Sequence, residues 1–125
     1  MTSRRLIKKW LAKNVKPCIE RLYAVPKSAS AAPGQRPTVQ THYNSLKVGN
    51  LEIFKFEKIT IIDDVLTKGS TVFACAMRLH EAFPNSSIKV FSHMQTQGLI
   101  PEILKVKDHS VGDITYNGHD TLREP

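Results

Sequence analysis

The stretch ITIIDDVLTKGSTVFACAMRLHEAFP, residues 59–84, decides the fold. Ile59, Thr60, Ile61 and Ile62 are β-branched and nearly continuous, the pattern of a strand buried in a parallel sheet. Asp63 and Asp64 end that strand. Two adjacent carboxylates repel each other there, and no rule of folding asks for them. The turn that follows, Val65-Leu66-Thr67-Lys68-Gly69-Ser70-Thr71, carries one glycine and three hydroxyl residues. It opens a helix whose core face is Val72, Ala76, Leu79 and Phe83, with Phe73 beside them, and Pro84-Asn85 stops that helix.

Strand, acidic pair, hydroxyl-rich turn and helix together suit a phosphorylated sugar. The backbone N–H groups of a first helical turn lack intrahelical partners and carry the positive end of the helix dipole, so they collect phosphate. Thr67, Ser70 and Thr71 add hydroxyl donors, and Gly69 lets the backbone approach closely. Carboxylates are poor phosphate ligands but good acceptors for two neighbouring sugar hydroxyls, directly or through Mg²⁺. A P-loop is a poor match, because Lys68 precedes Gly69 and no earlier glycine is at hand.

This segment resembles the phosphoribosyl pyrophosphate (PRPP) motif of type I phosphoribosyltransferases: an apolar strand, Asp-Asp, then Thr-x-Gly-x-Thr. The resemblance implies that Asp63 and Asp64 hold the ribose 2′- and 3′-hydroxyls, with Mg²⁺ at the same carboxylates, and that Thr67, Lys68, Gly69, Ser70 and Thr71 wrap the 5′-phosphate. Upstream, YAVPKSASAAPGQRPTVQTHYNSL is similar, more loosely, to the ComF-like branch, in which a strand ends in a pyrophosphate loop and a mobile Arg-containing loop follows. By position, Lys27 and Ser28 then face the pyrophosphate, and Arg36 comes from the mobile loop to stabilise the leaving group with Lys27. The implied activity is transfer of the phosphoribosyl group from PRPP to a nitrogen acceptor. Family members commonly associate, which implies a homodimer. The rival function is a PRPP- or nucleotide-sensing regulator that has kept the motif and lost turnover, with the basic N-terminal helix as a nucleic-acid or partner contact. The resemblance spans about residues 23–93 and includes no recognisable hood for reading the acceptor.

Composition frames this reading. The chain has 125 residues, 41% hydrophobic and 23% charged, as one ordinary domain over 1–125 requires. Two cysteines, Cys18 and Cys75, support neither a disulfide scaffold nor a CxxC-type zinc site, so a reduced, cytoplasmic protein is expected. No apolar run approaches the ~20 residues of a membrane helix, and lysines interrupt the start too often for a signal peptide. Residues 1–27 hold eight basic residues against Glu20 alone, so the whole net charge of +7 is N-terminal. That segment reads as a basic amphipathic helix over about 3–14. Leu6, Ile7, Trp10, Leu11 and then Val15 share one face that packs on its own domain or across a dimer, in preference to a nucleic-acid contact.

The expected architecture is α/β: a mainly parallel sheet flanked by helices. Strands are expected near residues 19–25, 59–63 and 88–93, and helices near 3–14 and 70–82. A loop too poor in apolar residues to build core, and therefore mobile, is expected over 27–44. His42 in that loop and His93 at the end of IKVFSH are secondary ligand candidates. Asp108, His109, Asp113, His119 and Asp120 read as a solvated tail without metal-site spacing. Asn117-Gly118 signals a hairpin.

Overall fold

The computed structural model describes residues 15–26, 34–49, 55–95 and 110–124. At its centre is the expected strand–turn–helix–strand unit. β3 (Lys58–Leu66) leads through the turn into helix α2 (Ser70–Ala82), which returns the chain to β4 (Ser87–Gln95). β3 and β4 pair in parallel, with Ile61 opposite Val90 and Asp63 opposite Ser92. The crossover through a helix is what a parallel pair requires, because a short turn cannot return the chain to the same end of the sheet.

One detail differs from the sequence reading. The strand does not end at the aspartates: Val65 and Leu66 continue the ladder opposite Met94 and Gln95, and Leu66 is buried. Burial of Leu66 and two further register pairs carry the backbone past the charged pair. The helix, in contrast, stops where expected. Phe83 caps it, donating its N–H to the Leu79 carbonyl at 2.8 Å, and Pro84 disfavours helical backbone in the residue before it.

α2 is buried on two sides. Val72 and Leu79, seven residues apart, form one stripe, whereas Ala74 is fully buried nearly opposite them. Ala74 packs with Val39 and Leu46 from a second layer. This layer holds the short helix α1 (Val39–Ser45), the strand β2 (Leu46–Val48) that follows it directly, and β1 (Ile19–Arg21), which runs antiparallel to β2. A hairpin of β5 (Asp113–Tyr116) and β6 (Thr121–Glu124) turns at Asn117-Gly118, as expected. Asn117 Oδ1 accepts from the His119 and Asp120 N–H groups, and Gly118 takes φ +89°.

The architecture is therefore mixed α/β: among the described residues there is one parallel pair, two antiparallel pairs and two helices. The strand expected over 19–25 is shorter and pairs antiparallel with β2, because α1 delivers Leu46, Lys47 and Val48 straight back along it. The loop expected over 27–44 is also shorter, since Val39–Ser45 are helical. Thr38 is the N-cap, its hydroxyl accepting from the Thr41 N–H at 3.2 Å. The second face of the β3–β4 pair presents Ile62 and its register partner Phe91, each 52% exposed. The helix read over 3–14, and Lys27 and Ser28 of the pyrophosphate loop, lie outside the described residues. No helix among the described residues is long and apolar enough to cross a membrane.

Candidate functional site

The site is built around the junction of β3 and α2. Asp63 is half-buried beneath α2, near enough to Cys75 for its charge to oppose that thiol's ionisation, while Asp64 is exposed. Burial pushes the Asp63 carboxyl above its ordinary value, and a hydrogen bond and charge repulsion from Asp64 add to the effect. Backbone N–H donors from Val65 and Asp64 only partly offset this. Hydrogen-bond donors placed beside the Asp63 carboxylate would offset its burial.

Beyond the strand, Gly69 sits at φ +95° and forms the N-cap of α2 without a side-chain cap. Left-handed backbone is cheap for glycine and costly for other residues, which explains the single glycine of the turn. Ser70 and Thr71 occupy the first helical turn, so their hydroxyls stand beside the N–H groups that most need an acceptor.

The β5–β6 hairpin docks on this turn, a contact the sequence reading missed. Lys68 Nζ meets Asp120 Oδ2 at 2.8 Å, and Ser70 Oγ lies 3.1 Å from Thr121 Oγ1. Ile114 packs against Gly69, and Phe73 of α2 meets the Tyr116 ring at 5.4 Å between centroids. Asp120 is therefore not part of a free solvated tail. The Lys68 ammonium holds its carboxyl below the ordinary value, helped by the Thr121 N–H. No spacing rule links residues 68 and 120; the one local signal was Asn117-Gly118, which fixes the hairpin but not where it lands.

Behind the turn lies His42, buried to 4% exposure on α1, with Nε2 3.4 Å from Thr71 Oγ1. Burial, and secondarily the charge of Arg21, hold its pKa below the ordinary 6.5. The unfolded chain therefore takes up a proton at His42 that the folded protein resists, and stability falls as pH drops below 6.5. His42→Gln is expected to flatten that part of the stability curve, read as the melting temperature between pH 7.5 and 5. His93 is exposed on β4, and Arg36 is exposed on the bend before α1. The thiols of Cys18 and Cys75 are both pushed up by burial, which suits inert cysteines. A shallow groove lined by Leu22, Leu46, Val48 and Arg78 lies at the far end of α2 from the turn.

No family model, curated protein or solved structure matches the chain. The site must therefore be read from its own chemistry. It offers two carboxylates, a glycine-opened helix start, the hydroxyls of Thr67, Ser70 and Thr71, and one lysine, which the hairpin's Asp120 engages. Asp120→Asn is expected to raise affinity for inorganic phosphate by up to about fivefold, the equivalent of an exposed ion pair's ~1 kcal/mol, with little change in melting temperature. Phosphorus NMR titration of the two proteins checks this.

Proposed function

We propose that the chain binds PRPP across the β3–α2 junction and transfers its phosphoribosyl group to a nitrogen acceptor, releasing pyrophosphate. In this reading β3 and β4 are the centre of a type I phosphoribosyltransferase-like fold, and its mainly parallel sheet extends outward from them. The observation that carries the proposal is the conjunction of Asp63-Asp64 with a left-handed Gly69 that starts a 13-residue helix bearing Ser70 and Thr71. An isolated acidic pair or an isolated helix start is common; a diol acceptor and an anion cradle a few residues apart suit a sugar phosphate.

The roles follow from the donor and acceptor chemistry. Asp63 and Asp64 accept from the ribose hydroxyls, and this relieves the unfavourable burial of Asp63. The N–H groups and hydroxyls from Thr67 to Thr71 donate to the 5′-phosphate. Lys27, Ser28 and Arg36 are assigned to the pyrophosphate, where positive charge stabilises the leaving group as the anomeric bond breaks. Mg²⁺ fits these residues: it takes hard oxygen ligands, commonly one or two carboxylates plus substrate phosphates, so Asp63 and Asp64 suffice. When bound, it would neutralise pyrophosphate charge. The protein's own contribution is to orient the sugar and hold its hydroxyls.

A second reading, a PRPP-sensing regulator, draws support from the hairpin's engagement of Lys68 and Ser70, since ligand would have to compete with Asp120 there. Calorimetry of the full chain with PRPP and Mg²⁺, followed by pyrophosphate release assayed with a panel of bases and amines, separates the readings. Binding with release supports the transferase, and binding without release across the panel supports the sensor. Absence of both heat and thermal stabilisation at millimolar PRPP overturns both.

A further inference from the structure

His42 is unexpected in the core. Among the described residues its Nδ1 is buried without a hydrogen-bond partner, while Nε2 faces the Thr71 hydroxyl. Of the two neutral tautomers, one leaves a buried N–H without an acceptor and the other leaves only an unused lone pair. Orphaned buried N–H groups are the rarer case, so the proton belongs on Nε2. Nε2–H then donates to Thr71 Oγ1, and the Thr71 proton is left to be given elsewhere.

The backbone that carries the ring is held from behind. The His42 N–H donates to the Thr38 carbonyl, Ser45 Oγ donates to the His42 carbonyl at 2.7 Å, and Arg21 Nη1 donates to Ser45 Oγ at 2.8 Å. Hydrogen bonds thus tie Arg21 on β1 to the His42 backbone of α1, and the His42 ring meets the first turn of α2. The hydroxyl met there belongs to the turn assigned to phosphate.

We propose that His42 is a positioning residue of the anion turn: its Nε2–H fixes Thr71 Oγ1 as an acceptor, so that the Thr71 proton is donated to a phosphoryl oxygen bound there. The proposal rests on the reading of the turn as a phosphate site. It explains why a polar ring occupies the interface of two helices, where an aliphatic side chain would pack without an unpaired nitrogen.

The test uses the full chain with PRPP and Mg²⁺ as the probe. Long-range nitrogen NMR of the wild-type ring should place the proton on Nε2. His42→Leu and Thr71→Val should each lower affinity about tenfold, the loss expected for one hydrogen bond to a charged group, and the double variant should lose little more than either alone. His42→Gln, whose amide can donate from the Nε2 position, and Thr71→Ser should stay within about threefold of wild type, against the tenfold of a lost bond. A proton on Nδ1 overturns the proposal. So does wild-type affinity in His42→Leu, or additive losses in the double variant, while wild-type binding leaves the turn's assignment intact. If His42→Leu does not fold, the ring spectrum and the Gln variant still decide. Failure of the wild type to bind PRPP overturns the assignment of the turn itself and this inference with it.

Discussion

Asp63→Asn is expected to weaken PRPP binding by about 1.5–3 kcal/mol, at least tenfold, while raising the melting temperature of the ligand-free protein. Binding falls because the amide has only one acceptor oxygen to offer a sugar hydroxyl and brings no charge. Stability rises because the folded state strains this carboxylate. Its pKa in the fold lies above the ordinary 3.8, so the folded protein favours the protonated form more than the unfolded chain does. Stability is therefore lost as pH climbs from 3.8 through the folded value, and the full penalty is present at neutral pH. Asparagine removes it. The gain in melting temperature should be largest near pH 7 and vanish below 3.8, so scans at the two extremes check it. Asp64→Asn should weaken binding by a similar 1.5–3 kcal/mol. It should also raise the melting temperature, by relieving Asp63 of a neighbouring charge. Equal affinity for PRPP in wild type and both variants would remove the carboxylates from the site.

Gly69→Ala is expected to cost about 1–3 kcal/mol of stability, or roughly 5–15 °C in a domain of this size. Left-handed backbone at φ +95° accounts for part of the loss. The rest is contact: a Cβ at Gly69 would lie 3.1 Å from Ile114 Cγ2 and 3.2 Å from Cδ1. Isoleucine is stiff about its first torsion, so Ile114 yields the few tenths of an ångström this needs only at a cost. Ile114→Ala should recover part of the loss in the double variant, since it removes the obstruction and leaves only the backbone strain. Thermal unfolding of the four proteins in the cycle measures both components.

How far the sequence could be read depended on whether a residue's partner was near it in the chain. Residues 58–95 were legible as strand, turn, helix and strand, because β-branched runs, the glycine turn and Pro84 all act locally, although β3 runs on to Leu66 and β4 to Gln95. The helix bounds at Ser70 and Ala82 followed from those signals. α1 was not legible as a helix. Thr38 as a cap, followed by Val39, Tyr43 and Leu46 at helical spacing, was present, but seven residues were swamped by the Ala-, Ser- and Pro-rich segment before them. β1 was read as a strand of a mainly parallel sheet but pairs antiparallel with β2, since an isolated apolar run does not name its partner. In the candidate site, Asp63 to Thr71 stood out as chemistry without a folding reason. Asp120 and Thr121 did not, because their roles arise only when a hairpin from the far end of the described chain lands on the turn.

That landing has a consequence for how the protein comes into being. The contacts that clamp the turn join residues 52 and 51 positions apart, Lys68 to Asp120 and Ser70 to Thr121. The β3–α2–β4 unit is closed by shorter loops and can assemble first, whereas its clamp must wait for the longer loop to close. During synthesis the turn therefore emerges and begins to coil before the strands that cover it leave the ribosome. In that interval Lys68 and Ser70 are bare.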